Sequence, residues 1–280
     1  MTQPAGNDPA ADLTEPAGEI LTGPIFPAGI RTVLILGGTS EARQLAGRLA
    51  QIDGLRAVSS LAGRVRNPAL PAGEVRIGGF GGVRGLADWL TAQRAAAVID
   101  ATHPFAEGIS ANAAAACGQT GTPLLSLVRP AWAAGARDVW HDVATLSDAA
   151  RMLPTLGERV FLTTGRQGLT AFADLGRMWF LIRCVDPPSG PLPPAREVIL
   201  ARGPYDAAAE LDLMRGHRID VLVTKNSGGA LTEGKLAAAR ALGLPVVMVS
   251  RPPRPDVPRC GSVDEAESWL LRLLRRSGGA

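Results

Sequence analysis

From Arg31 onward, short apolar runs alternate with segments of helical periodicity, and that alternation leaves few folds open. Strands are expected at residues 33–36, 57–61, 74–77, 97–100 and 124–128, with helices over 40–51, 83–94 and 105–121 between them. Strand, helix, strand repeated in this way implies parallel strands joined by right-handed crossovers. After a link over about 131–148 the alternation resumes. Strands are then expected at 160–163, 180–185, 198–201, 221–224 and 246–249, and helices near 206–216, 232–242 and 264–276. The expected fold class is therefore α/β, in two parallel-sheet units, 31–130 and 131–280. Residues 1–30 are rich in Pro, Ala, Gly and acidic side chains and show no periodicity, so they read as a disordered leader.

A chain of 280 residues suits two domains, each able to bury a core. The two units also share a grammar. Residues 98–130 run strand, polar turn, Ala-rich helix, Gly, Pro, strand, Arg-Pro, and residues 221–252 run the same way at nearly the same length. A duplication, or the shared demands of one βαβ unit, would produce this equally. Two similar units facing each other make a cleft, the usual place for a ligand.

Composition narrows what that ligand is. The net charge is +3 with scattered arginines, and one Tyr and six Phe supply little for base stacking, so nucleic acid is not expected. A mild positive bias does suit a small polyanion. The cysteines, Cys117, Cys184 and Cys260, lie far apart and the chain has three His, so no metal-binding spacing exists. Nothing reaches the roughly 18 apolar residues of a membrane span, and no basic region precedes an apolar stretch at the start, so a cytoplasmic protein is expected.

The turn Gly37-Gly38-Thr39-Ser40 joins a strand to a helix start. Glycines let the backbone approach a phosphate, and the free N–H groups and dipole of the helix start favour negative charge. A helix that binds nothing also uses such a turn, and the third glycine of a dinucleotide fingerprint is missing. The end of the second strand adds information. Ser59-Ser60-Leu61-Ala62-Gly63-Arg64, then Arg66, contains no carboxylate to hold ribose hydroxyls. Hydroxyls and an Arg suit the extra phosphate of NADP(H) better than NAD.

Asp100-Ala101-Thr102-His103-Pro104-Phe105 follows a buried strand, at the edge where α/β sites form. Asp100 or His103 is placed to donate a proton, and each also has a plain structural reading as a cap or a packed loop residue. In the second unit, Thr163-Thr164-Gly165-Arg166-Gln167-Gly168 and Thr224-Lys225-Asn226-Ser227-Gly228-Gly229 bring cations, polar groups and glycines to strand ends. Arg183 and Arg202 end two further strands. Such groups on one sheet edge read as a polyanion site.

Taken in order, these stretches resemble the precorrin-6A reductases of cobalamin biosynthesis, over about residues 31–252. The resemblance implies two Rossmann-like domains with the active site between them, and NADPH-dependent reduction of a double bond of precorrin-6A to give precorrin-6B. Hydride would reach ring carbon C19 and a proton C18. It implies that Gly37, Gly38, Thr39, Ser40 and Arg43 hold the pyrophosphate region of NADPH, with Ser60 and Arg64 at the adenosine phosphate. Thr102 and His103 would lie near the nicotinamide. Arg166, Lys225, Asn226 and Ser227 would hold carboxylates of the tetrapyrrole. The proton donor stays open between Asp100, His103 and water, and hand-over to neighbouring pathway enzymes is a further expectation. Rival readings are a non-catalytic NADP-sensing scaffold and a reductase of another small anionic substrate.

Overall fold

A computed structural model of the chain describes residues 29–63 and 70–276. Residues 1–28 of the expected leader, and Arg64, lie outside the described residues. The chain runs β1 (Arg31–Leu36), α1 (Ser40–Leu49), β2 (Leu55–Leu61), β3 (Glu74–Ile77), α2 (Gly82–Ala92), β4 (Ala95–Asp100), α3 (Glu107–Thr120) and β5 (Leu124–Leu127). It continues through β6 (Val139–Val143), α4 (Leu146–Met152), β7 (Arg159–Leu162), β8 (Trp179–Cys184), β9 (Arg196–Leu200) and α5 (Ala207–Gly216). The last elements are β10 (Val221–Lys225), α6 (Gly234–Leu242), β11 (Pro245–Val249), β12 (Arg259–Cys260) and α7 (Val263–Arg276).

The strands form two six-stranded sheets, ordered β3-β2-β1-β4-β5-β12 and β9-β8-β7-β10-β11-β6, and neighbouring strands in both run parallel. This is the expected α/β class, as two Rossmann-like sheets. Each is covered on both faces. In the first unit, α1 and α7 bury Leu45, Leu49 and Leu270 against one face, while α2 and α3 bury Leu86, Leu90 and Ala116 against the other. The second sheet is packed in the same way around Phe172 and Phe180 on one side and Met214 and Leu236 on the other.

One expectation about domain limits is overturned. Residues 131–280 do not form a single unit, because after β11 the chain returns to the first sheet and places β12 beside β5. The helix α7 then packs on α1. The reverse crossing occurs earlier: after β5 the chain leaves the first sheet and lays β6 beside β11. The first sheet therefore takes its sixth strand from the far end of the chain, while the second is built wholly from residues 139–249. The expected link over 131–148 conceals β6 and the start of α4. In sequence β6 is Val-Trp-His-Asp-Val, a half-exposed edge strand with no apolar run to reveal it. The two-residue β12 carries no periodicity at all.

The two crossings touch, and an arginine marks each. Arg251 donates hydrogen bonds to the carbonyls of Asn226 (2.8 Å), Arg129 (2.9 Å), Pro130 (3.1 Å) and Ser227 (3.2 Å). Arg129 donates to the Ser227 carbonyl at 2.7 Å and to Glu41 at 2.9 Å. The Asn226 amide clamps the next residues, accepting from Trp132 N at 2.9 Å and donating to its carbonyl at 3.0 Å. Here the Gly228-Gly229 pair finds its reason. A Cβ on Gly228 would collide with the Pro130 carbonyl oxygen, and one on Gly229 with the Arg129 side chain. Both also hold positive φ, +68° and +83°.

Gly228→Ala therefore combines left-handed strain with a backbone clash, and is expected to cost at least about 2 kcal/mol. Denaturant unfolding of the variant, with an unchanged m value, is the measurement that checks it.

Candidate active site

In the first sheet α1 covers one face and α3 the other, so the strand order reverses between β1 and β4. A crevice opens there at the carboxyl ends of the strands. The turn after β1 lies at its mouth. Gly37 sits so close to β2 that a Cβ would come within 3.2 Å of Leu61, and its N–H donates to the Ser60 carbonyl at 2.9 Å. Gly38 differs: it has φ +113° and open space where a Cβ would point. Thr39 caps α1, accepting from Ala42 N at 3.1 Å, and donates to the Ala101 carbonyl at 2.7 Å, which fixes the turn to the end of β4. Its hydroxyl shapes the turn rather than facing the crevice.

The N–H groups at the start of α1 thus open above an uncovered glycine, a cradle for an anion. Arg43, one helical turn on, has no hydrogen-bond or ion-pair partner among the described residues. Ser40 instead bonds its neighbour Glu41 at 3.0 Å. That carboxylate would repel an anion, but Arg129 neutralises it at 2.9 Å. Burial works against the Glu41 charge while backbone and Arg129 interactions favour it, leaving its carboxyl below the usual range.

Two further features border this cradle. Ser60 is buried at the end of β2, and the neighbouring Ser59 hydroxyl is buried with no partner among the described residues. The turn Gly78-Gly79-Phe80-Gly81-Gly82 is held by Arg76, which donates to the carbonyls of Gly78 (2.6 Å) and Gly79 (2.8 Å) and stacks on Phe80. Gly85 completes it, because a Cβ there would strike the Phe80 carbonyl.

The expected acids fare differently. Asp100 is 3% exposed, and both carboxylate oxygens are engaged. Oδ1 accepts from Thr102 N (3.1 Å) and Thr102 Oγ1 (2.6 Å), while Oδ2 accepts from Ser110 (2.6 Å) and Arg254 (2.6 Å). It is a buried tie between β4, α3 and the segment returning to the first sheet, with both oxygens already accepting hydrogen bonds. Thr102 is turned inward by the same bonds. His103 accepts from Phe105 N on Nδ1 at 3.3 Å, an arrangement that leaves the proton on Nε2. Burial, followed by the charges of Arg129, Lys225 and Arg251, pushes its pKa down to about 4. At neutral pH the imidazole is uncharged and can donate a hydrogen bond, but it is no imidazolium acid.

In the second unit the turn after β7 occupies the place that Gly37-Gly38 holds in the first. It leads into a four-residue 3-10 segment, Leu169–Phe172, rather than an α-helix. It therefore lacks the helix start that makes an anion cradle in the first unit. Gly165 has open space beside it, and the buried Thr164 hydroxyl has no partner among the described residues. Arg166 stands next to Cys184, whose thiol burial pushes up against the pull of that cation. Lys225 reaches across from β10, its ammonium 5.3 Å from the Phe105 ring centroid of the first unit.

Two of the four residues expected at substrate carboxylates have other duties. The Asn226 amide holds Trp132, and the Ser227 carbonyl takes Arg129 and Arg251. Arg183 is likewise internal, paired on both nitrogens with the buried Glu210 and stacked on Tyr205. Sequence reasoning missed Glu41, Arg129, Arg251 and Arg254. The Arg-Pro dipeptides after two strands were the visible signal for Arg129 and Arg251; Arg254 had none.

Comparison with known proteins identifies relatives along most of the chain. The family model described as Precorrin-6x reductase CbiJ/CobK matches residues 32–271. A precorrin-6A reductase of Rhodococcus erythropolis is 57% identical over 87% of this chain and 99% of its own length. One from Mycobacterium tuberculosis is 52% identical over 87% and 99%. A cobalt-precorrin-6A reductase of Salmonella typhimurium is 31% identical over 79% and 87%. Among solved structures, one described as CobK precorrin-6A reductase superposes with a TM-score of 0.81 at 45% identity, covering 87% of this chain and 97% of its own.

Two outcomes follow from the acids. Because the folded pKa of His103 lies below its unfolded value of 6.5, the folded state binds fewer protons between the two. The contribution of His103 is fully present above pH 6.5 and is lost as pH falls through about 4; His103→Gln should flatten that part of a stability-against-pH curve measured by urea titration. Asp100→Asn leaves Arg254 buried without its counter-charge, so unfolding free energy should fall by about 3 kcal/mol. Turnover per folded molecule should stay near wild type, and a collapse of kcat in well-folded D100N protein would restore Asp100 as an acid.

Proposed function

We propose, from the premise that this chain belongs to the precorrin-6x reductase family, that it reduces one double bond of precorrin-6A to give precorrin-6B, with NADPH as the reductant. The observation that carries this reading is the uncovered Gly38 turn at the start of α1, with Arg43 unpartnered beside it, facing cations of the second unit across one cleft. NADPH would supply the hydride, to ring carbon C19, with a proton added at C18. The protein's part is to bind, orient and exclude water.

The residues present fit that cofactor. Gly37 and Gly38 let the backbone close on the pyrophosphate, and the first N–H groups of α1, from Ser40 on, aim at it. Arg43 adds a charge. Thr39 supports the turn without touching the ligand. Ser60 and Arg64 would take the adenosine phosphate, where a carboxylate would repel it. The neutral His103 has one N–H available to orient a carbonyl or amide at the nicotinamide end. Arg166 and Lys225 fit the acetate and propionate carboxylates of the tetrapyrrole, which a smaller substrate would leave unused. Asn226, Ser227 and Asp100 act at one remove, by holding the crossings and strand ends in place.

The direct test follows absorbance at the NADPH band with precorrin-6A present. Substrate-dependent oxidation is expected, whereas NADPH binding with no oxidation would mark a sensor instead. Arg64→Ala should raise KM for NADPH about tenfold and KM for NADH less than about twofold, since the lost guanidinium contact is to the extra phosphate. Equal rises would contradict the NADPH assignment. Arg43→Ala should weaken NADPH binding by a similar factor in a fluorescence titration.

A further inference from the structure

Lys225 differs from the arginines around the crossings. Arg129 is held by Glu41 and the Ser227 carbonyl, Arg251 by four carbonyls, and Arg254 by Asp100, Ser110 and Ser126. Each guanidinium is fixed in place and cannot act as an acid near neutral pH. Lys225 makes no hydrogen bond or ion pair through its ammonium among the described residues, and the ammonium lies 5.3 Å from the Phe105 ring centroid. It ends β10, a central strand of the second sheet, and it faces the turn that follows β4 of the first. It therefore stands on the substrate side of the cleft and looks toward the cofactor side.

Other groups with a proton to give are engaged or uncharged. Burial lowers Lys235 to about 7, but its ammonium is bound to the Thr232 carbonyl at 2.7 Å and lies over Trp132. Asp100 and Glu210 lie in buried ion pairs, and Glu41 is paired with Arg129. The Tyr205 hydroxyl donates to the Ala201 carbonyl at 2.8 Å and is pushed up by burial. Cys184 is buried with its thiol also pushed up. His103, the nearest titratable neighbour, is neutral, partly because the charges of Arg129, Lys225 and Arg251 oppose its protonation. Burial acts on Lys225 in the direction that makes it a better proton donor, lowering its pKa from 10.5.

We propose that Lys225 is the general acid of the reduction, delivering the proton to the ring carbon adjacent to the one that receives hydride. The proposal rests on the reductase reading above. Hydride from NADPH brings two electrons to one carbon of the double bond, and the displaced pair collects on its neighbour. An N–H bond of the Lys225 ammonium breaks, its electron pair stays on nitrogen, and a C–H bond forms at that neighbour. The neutral amine then regains a proton from water. The Phe105 face steadies the ammonium before transfer without taking its proton.

The experiment separates proton delivery from a plain grip on a carboxylate. Lys225→Arg keeps the positive charge but replaces the ammonium with a far weaker acid that holds its proton throughout the working pH range. Precorrin-6A binding without NADPH, followed by quenching of protein fluorescence, should stay within about threefold of wild type in this variant, while kcat falls about 100-fold. Lys225→Met should lose kcat to a similar degree. Wild-type kcat should decline as pH rises through the lysine pKa, and that limb should vanish in both variants. Competitive acylation of the NADPH-free wild-type protein should show Lys225 reacting with a pKa below 10.5. A K225R kcat within about threefold of wild type would overturn the proposal, as would a K225M variant altered in KM alone or an acylation pKa at or above 10.5. If the wild-type protein failed to oxidise NADPH with precorrin-6A, both this assignment and the reductase reading would fall. Wild-type turnover matched by K225R would sink the acid alone.

Discussion

Arg251 holds four backbone carbonyls from two passing segments, and most of the molecule depends on that arrangement. Residues 129–130 leave the first sheet and residues 226–227 leave β10, so neither segment continues a ladder that would supply donors to its carbonyls. Buried carbonyls left this way are costly. A guanidinium offers five N–H donors in a rigid fork, and here it meets several acceptors at once. The crossing in turn decides which strands complete each sheet. Without it β12 would have no reason to sit in the sheet of the first unit. The orphan question for these segments is answered by side chains, because secondary structure cannot answer it.

The same knot shapes the site. Arg129 reaches from the crossing to Glu41 in the first turn of α1, and so ties the anion cradle to the Ser227 carbonyl of the second unit. Charge-assisted hydrogen bonds thereby tie the two halves of the cleft together. Phe105 adds an apolar link, packing against the core of the second unit while lying under Lys225. Asp100 and Glu41 are already paired with arginines, so neither charge stands open to an anionic ligand.

The sequence made the architecture legible where hydrophobic pattern alone decides it. The strand β1 ends in two glycines followed by a helical stripe, and the structure has that turn where it was expected. The alternation also gave the central strands of both sheets, since these are buried on both faces and read as plain apolar runs. It failed at β6 and β12. A half-exposed edge strand carries polar residues, and a two-residue strand carries no pattern. Both exist because another strand's edge awaits them, a fact held far away in the chain.

Site residues divide along the same line. A Gly-Gly turn between strand and helix, the absence of an acid after β2 and a lysine at a strand end are local statements, and composition of a short stretch is enough to make them. Whether a polar group is free is not local. Asp100, Asn226 and Ser227 look available in sequence, yet each is engaged by a residue between about 90 and 155 positions away, as the Arg254 and Trp132 bonds demonstrate. The glycines of Thr224-Lys225-Asn226-Ser227-Gly228-Gly229 read as an anion loop and instead make room for Pro130. By itself the sequence determined two parallel α/β units and the place of an anion-binding turn, because those follow from periodicity and backbone freedom. Only the tertiary structure decided which strands belong to which sheet and which charges remain unpaired, because hydrogen-bond partners are assigned by folding and not by neighbourhood in the chain.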